Sequence, residues 1–305
     1  MQKIINLLQS YTKNVAGRLF HGRGKNFPEF DYFNIDFFPP YIIIYLYKEP
    51  NQDFLISNLV EGLKSNSNID IKGIICQRRY LKDSPIELLY GNYEEEFISE
   101  IEGEKYAFKL GKSQNLGFFI DMELLRNWLR LNSKNKKILN LFSYTCALSV
   151  VALKSEAQMV LNFDMSKGAM KRGLLNHRIN NLNLNKVKFF EHDVFKSFGK
   201  MSKESPYDII IIDPPSDHGK HFNIERDYEK LILRTYQYLK EEGFLILALN
   251  SPHHSFEFLV NLTKKIDGPL FLSEKFGLPD HFMETNKDAG LKVAIFKKEK
   301  VHESK

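Results

Sequence analysis

From Lys137 onward, short apolar runs alternate with amphipathic stretches. KILNLF, MVLNFD, KVKFFEHD, YDIIIID and FLILALN have the length and near-continuous apolar character of strands buried on both faces. ALSVVALKS, KGAMKRGLLNHRINNL, YEKLILRTYQYLKEE and SFEFLVNLTKKI instead carry apolar residues at helical spacing. Strands and helices alternating in this way specify βαβ units with right-handed crossovers, and hence an α/β, doubly wound, Rossmann-like parallel sheet. LFLSEKF and LKVAIFKK, joined by GLPDHFMETNKDAG without a helix, predict an antiparallel hairpin at its edge, for seven strands in all.

The first half has a different texture. YIIIYLYK and IKGIICQRRY predict strands around an amphipathic DFLISNLVEGLKS helix, and ELLYG and KYAFKLG add short β segments. FIDMELLRNWLRLN predicts a helix and SKNKK a connector into the second half. The expected organisation is a flexible basic arm over 1–30, a small α+β domain over 31–120 and a larger domain over 121–305.

No uninterrupted apolar run approaches the ~18 residues of a membrane span. Cys76 and Cys146, the only two cysteines, lie far apart without metal-ligand companions, so neither a disulfide framework nor a metal site is expected and a reducing cytoplasm fits. The net charge of +5 is uneven: residues 1–120 hold 14 Lys and Arg against 15 Asp and Glu, so the excess lies in the second half. Residues 1–28 nonetheless carry Lys3, Lys13, Arg18, Arg23 and Lys25 with no acid, a pattern suited to a polyanion such as RNA.

In open α/β sheets ligands bind beyond the carboxyl ends of the strands. Here those ends are FSYTCA, Asp164, Asp193, Asp213 and Asn250-Ser251. Acids at three successive strand ends are costly unless donors or a ligand meet them. Asp164 lies 21 residues after Ser143, the spacing that puts an acid on ribose hydroxyls. FSYTCALSVV has no glycine to let backbone approach a pyrophosphate, and no P-loop lysine is present. A nucleoside cofactor without phosphates remains: S-adenosylmethionine, with ribose on Asp164 and adenine near Asp193 and Val194. Pro214 and Pro215 cannot continue a central ladder, so they end the fourth strand and stiffen the chain where Asp213 emerges. Asp213 and the carbonyls beside it are then placed to hold a flat base for methyl transfer.

The chain resembles the class I S-adenosylmethionine-dependent methyltransferases of large-subunit ribosomal RNA, the group that makes 5-methylcytosine or N7-methylguanine. The likeness runs from about Tyr41 to Lys297. LGKSQNLGFFIDMELLR resembles the segment that leads onto the cofactor, and NLFSYT, DMS, IIIDPPS and IERDYEKLIL follow in the family's order. The resemblance implies a catalytic Rossmann-like domain preceded by a small domain that helps grip RNA. It further implies cofactor contacts at Phe142, Ser143, Tyr144, Thr145, Asp164, Met165, Ser166, Asp193, Val194 and Asp121.

Three departures bear on that. Cys146 replaces the family's glycine after FSYT, and Met122-Glu123 replaces its Gln-Arg, with Arg126 one helical turn on. LALNSPHHS, after the fifth strand, lacks the cysteine that 5-methylcytosine chemistry requires, so guanine N7 is favoured. Asp213, Pro214, Pro215 and Asn250 are then expected to orient the base, with Ser216, His218, Arg226, Arg23 and Lys25 meeting RNA. The expected protein is a cytoplasmic rRNA-processing methyltransferase, monomeric or homodimeric, with no membrane and no metal. The alternatives are a cofactor-degenerate RNA-binding protein on this fold and a methyltransferase for a small molecule or a protein.

Overall fold

The structure is a computed structural model that describes every residue except 1, 12–14, 51–52, 112–114, 216–221 and 301–305. It divides into two compact units, Met1–Ile120 with Asp280–Thr285, and Asp121–Pro279 with Asn286–Lys305.

The first unit is built on a five-stranded sheet of consecutive neighbours, β1 (Gly17–His21), β2 (Phe33–Phe38), β3 (Tyr41–Leu46), β4 (Gly73–Arg78) and β5 (Ile86–Gly91). Only β3 and β4 pair in parallel, through the crossover helix α2 (Asp53–Lys64). A separate hairpin, β6 (Glu96–Ile101) and β7 (Glu104–Lys109), completes the unit. The described part of residues 1–30 is folded, where a flexible arm was expected. The helix α1 (Gln2–Gln9) buries Ile4 and Leu8, and β1 buries Leu19 and Phe20 in the same core as α2. Ile4 and Leu8, one helical turn apart, and the adjacent Leu19 and Phe20 supply that burial.

The second unit follows the predicted alternation: α3 (Glu123–Asn132), β8 (Lys137–Leu141), α4 (Ala147–Lys154), β9 (Met159–Phe163), α5 (Lys167–Ile179) and β10 (Val187–Phe190). Then come α6 (Phe198–Lys203), β11 (Tyr207–Ile212), α7 (Ile224–Tyr236), β12 (Leu239–Asn250), α8 (Phe256–Thr263), β13 (Leu270–Phe276) and β14 (Leu291–Lys298). The strand order is β10-β9-β8-β11-β12-β14-β13, with the β13–β14 pair antiparallel at one edge. The chain reverses direction of build between β8 and β11, which makes that pair the switch point of the sheet.

The four isoleucines of β11 explain their own run. Ile210 and Ile212 enter the core on one face of the sheet, Ile209 and Ile211 the core on the other. Each is essentially inaccessible, and such burial contributes about 1.5–3 kcal/mol per side chain. One helix boundary departs from expectation: α7 stops at Tyr236, and Leu239–Gly243 extend β12 because Leu239 is buried and pairs with Tyr207. Among the described residues no helix is long and apolar enough to cross a membrane.

Candidate active site

Strand register gathers the predicted residues at one edge. Ile212 pairs with Leu141, Leu141 with Phe163, and Phe163 with Phe190, so Asp213, Phe142 and Asp164 each lie one residue beyond the same row. With strands about 4.8 Å apart, Asp164 and Asp213 flank Phe142 at roughly 10 Å from one another along the sheet edge. Asn250 ends β12, three residues past Leu247, the partner of Ile212, and is exposed.

The loop after β8 is strained. Phe142, Tyr144 and Cys146 have φ of 57°, 47° and 59°, a left-handed region that costs a non-glycine residue about 1–2 kcal/mol. Neighbouring strands and helices hold it in place. Asp164 Oδ2 accepts from the Tyr144 amide at 2.8 Å, Phe163 O accepts from the Ser143 amide at 3.1 Å, and Asn176 Nδ2 donates to Thr145 O at 3.0 Å. Thr145 and Ser143 are themselves buried, and Tyr144 is half-buried. Cys146 keeps the turn that glycine would make. Its thiol faces α5, where a Cβ on Gly173 would stand 2.7 Å from Sγ, so a glycine on the neighbouring helix makes room for the side chain. Burial pushes that thiol up to about 12.

The acids differ in what they already hold. Asp164 Oδ1 also accepts from the Ser166 amide at 2.8 Å, and Ser166 Oγ caps α5 by accepting from Ala169 N. Asp193 accepts from the Phe195 amide at 2.8 Å, fixing the turn in which Val194 is buried in the core, so only the backbone of Val194 remains for a ligand. Asp213 accepts from no donor among the described residues. Desolvation pushes its carboxyl up to about 7, and the negative charge of Asp121 adds to the rise. Pro214 is buried and Pro215 exposed, which makes the turn after β11 half core and half rim.

S-adenosylmethionine fits this edge. Each carboxylate oxygen of Asp164 has a second lone-pair site left for a ribose hydroxyl. Met165 is 48% exposed beside Asp164, an apolar surface for a flat base to cover. The charge of Asp121 acts on Asp213, so two acids bear on one spot of this edge, which suits a group carrying a sulfonium and an ammonium.

Two expected RNA contacts, Ser216 and His218, lie outside the described residues. Arg226 is exposed but engaged: its Nε and Nη2 donate to Asp227 at 2.7 and 2.6 Å. Arg23 and Lys25 are exposed in the first unit. Met122, where the family has glutamine, is buried in the core, and Arg126 is the largest fully buried side chain.

Sequence reasoning missed three residues that shape this edge. Tyr228 on α7 places its hydroxyl 3.0 Å from Ile212 O and 2.8 Å from Ala248 O, bridging the ends of β11 and β12. Lys292 on β14 is buried and donates to Ser251 O, Asp288 O and Gly290 O at 2.9, 2.6 and 2.8 Å, anchoring the chain just after Asn250. Arg172 on α5 acts electrostatically on Tyr144. A tyrosine on an apolar helix face and a lysine alternating in an edge hairpin carry no signal of such roles.

The chain is similar to several known proteins. A ribosomal RNA large subunit methyltransferase K/L from Psychrobacter arcticus is 32% identical over 178 residues, covering 56% of this chain and 23% of that protein. The "Putative ribosomal RNA large subunit methyltransferase YwbD" of Bacillus subtilis is 27% identical over 286 residues, 88% of this chain and 70% of that protein. The chain thus spans about a quarter of the K/L relative and most of the shorter one. Among solved structures, "a putative sam-dependent methyltransferase" from Streptococcus mutans matches with a TM-score of 0.83 at 26% identity, over 97% of this chain and 81% of that one. A further crystal structure, of a methyltransferase complexed with SAH, matches with a TM-score of 0.84 at the same identity and coverage. A family model described as S-adenosylmethionine-dependent methyltransferase matches residues 17–297. This chain belongs to the S-adenosylmethionine-dependent methyltransferase family.

Proposed function

We propose that the protein methylates a base of large-subunit ribosomal RNA, and that the atom methylated is guanine N7. The observation that carries the choice of atom is the state of the cysteines. Cytosine carbon five becomes nucleophilic only after a thiolate adds to carbon six. The chain has two cysteines, both fully buried, with thiols pushed up to about 12 by desolvation. Neither supplies a thiolate near neutral pH, so the covalent route has no nucleophile from this chain. Guanine N7 needs none, because its lone pair is already in place.

Bound, S-adenosylmethionine supplies a methyl group on a cationic sulfur, open to attack by such a lone pair. Asp164 and the backbone around Asp193 hold the nucleoside part. Ionised, Asp213 accepts hydrogen bonds from the guanine N–H edge and faces the positive charge that the ring acquires; Asn250 orients the same base. Tyr228 keeps the β11 and β12 ends at fixed separation, so these two side chains reach the base from a rigid edge. The names of the relatives support the ribosomal substrate. Incubating large-subunit ribosomal RNA with methyl-labelled cofactor, followed by nucleoside mass spectrometry, should give 7-methylguanosine. Labelled 5-methylcytidine would overturn the choice of atom, and no label in ribosomal RNA the choice of substrate.

A further inference from the structure

The first unit carries a cation–aromatic chain that leads from its core to its surface. Tyr45 on β3 is buried. The Arg79 guanidinium lies 4.0 Å from the centroid of the Tyr45 ring and 5.5 Å from that of Tyr47, and its Nη1 donates to the Tyr47 hydroxyl at 3.0 Å. Tyr47 in turn lies under the guanidinium of Arg23, at 4.3 Å. Tyr45 lies in β3 and Tyr47 in the bend just after it, and both rings meet the same Arg79 guanidinium. The chain of contacts ends at Arg23, which is exposed and has no carboxylate partner among the described residues.

The loop that holds Arg23 is rigid. A Cβ on Gly22 would stand 2.0 Å from Phe30 O and 2.4 Å from Phe33 O, and one on Gly24 would stand 2.4 Å from Met283 O. The Arg23 amide donates to Asn34 Oδ1 at 3.3 Å, and Lys25 closes the turn with its amide on Gly22 O at 2.9 Å. Lys25 is exposed next to Arg23 and likewise has no carboxylate partner among the described residues. Acids near this loop are taken by other partners, Asp36 by Arg18, Glu284 by His21 and Asp31 by Lys48. A guanidinium plane already stacked on tyrosine, fixed by its loop and bordered by a free ammonium, has the chemistry of a platform for an unpaired nucleobase and its phosphate.

We infer that Arg23, backed by Tyr47 and Arg79, stacks an unpaired base of the RNA substrate while Lys25 meets the adjoining phosphate. This rests on the RNA reading above and adds to it a single-stranded contact remote in sequence from the methyl-transfer residues. Double-stranded RNA hides its base faces, so the platform discriminates between the two.

The test is equilibrium binding of a fluorescent single-stranded 12-mer RNA and of the same sequence as a duplex, with Arg23→Ala, Arg23→Lys and Lys25→Ala. Arg23→Ala should weaken single-strand binding about tenfold, since base stacking of this kind is worth about 1–3 kcal/mol. Arg23→Lys keeps the charge but not the plane, and should fall nearly as far. Lys25→Ala should lower the slope of log affinity against log salt by about 1. Wild-type binding by Arg23→Ala, or full rescue by Arg23→Lys, would overturn the stacking role. Equal affinity of the wild type for duplex and single strand would overturn it too. Cofactor binding by the same samples, measured by calorimetry, tests the methyltransferase reading separately.

Discussion

Asp164 and Asp213 occupy equivalent places in the sheet, one residue past aligned positions on strands that flank β8, yet their surroundings are opposite. The β9 flank is saturated with hydrogen bonds. Asp164 takes two backbone amides, and beneath it Asn140 Nδ2 donates to Asn162 Oδ1 at 2.9 Å, Asn162 Nδ2 to Ser149 Oγ at 3.0 Å, and the Ser149 hydroxyl to His177 Nε2 at 2.9 Å. His177 Nδ1 closes the chain by donating to Gly173 O at 2.7 Å. The β11 flank is drier: below Asp213 lie isoleucines, the Tyr228 hydroxyl is spent on Ile212 O and Ala248 O, and the carboxyl meets no donor among the described residues. One acid is bound into the scaffold, while the other has no donor among the described residues and is, in the proposal above, the one that meets the base.

The largest effect should come from exchanging the two acids' roles by mutation. Asp213→Asn should lower the methyl-transfer rate by at least about a hundredfold, the scale on which a preorganised electrostatic group acts, with cofactor affinity within a few-fold. Asp164→Asn should instead weaken cofactor binding about tenfold or more, since it both loses a ribose acceptor and loosens the strained loop after β8. Calorimetry and single-turnover kinetics separate the outcomes. If the two variants lose binding and rate in the same proportion, the division between scaffold and ligand acid is wrong.

The flanks should also respond to pH with opposite signs. His177 is pushed down to about 4 by burial, although its bond to Gly173 O opposes this. A depressed histidine contributes stability that is present above its unfolded value near 6.5 and lost as pH falls through about 4, for a total of about 3 kcal/mol. Asp213 is raised from 3.8 to about 7, so its contribution is full below pH 3.8 and lost as pH rises through 7. Allowing for its partial exposure, that loss is about 2 kcal/mol. Denaturant unfolding without cofactor should therefore show His177→Gln flattening the acid limb and Asp213→Asn stabilising the protein at pH 8 but not at pH 4. An unchanged stability of Asp213→Asn at pH 8 would remove the claim of a dry flank.

Much of the fold was legible in the sequence, while this contrast was not, and the illegible part has a physical pattern. LFLSEKF and LKVAIFKK coincide with β13 and β14 residue for residue: β14 is a buried apolar run, and β13 is the exposed edge strand that pairs with it. The carboxyl-edge acids followed from knowing where parallel strands end. Order in residues 2–9 and 17–21 did not, although Ile4, Leu8, Leu19 and Phe20 are buried there: the basic, acid-free composition of 1–28 reads as a flexible arm and masks the apolar pattern within it. Satisfaction of charge was also hidden: Asp164 and Asp213 look alike in sequence, and only the fold shows two amides on one and none on the other. Cys146 is the sharpest case. In sequence it is only a departure from the family's glycine, whereas the accommodating residue, Gly173, lies 27 positions away on α5 and is visible only in space.

That pair gives the smallest and most specific test of the β9 flank. Glycine to alanine inside a helix ordinarily stabilises by up to about 1 kcal/mol. At Gly173 the new Cβ would meet Cys146 Sγ at 2.7 Å and its Cβ at 3.2 Å, both buried, so either α5 or the strained loop must give way. Gly173→Ala should therefore destabilise by about 1–2 kcal/mol, the usual scale of overpacking. Cys146→Gly removes the obstruction and also relieves a residue at φ 59°. In that background Gly173→Ala should recover its ordinary helical gain, so the two changes couple by about 2 kcal/mol in a double-mutant cycle of unfolding free energies. Additivity of the two substitutions would mean that the thiol does not depend on Gly173 for its place, and that the loop holding Asp164 tolerates cysteine by some other adjustment.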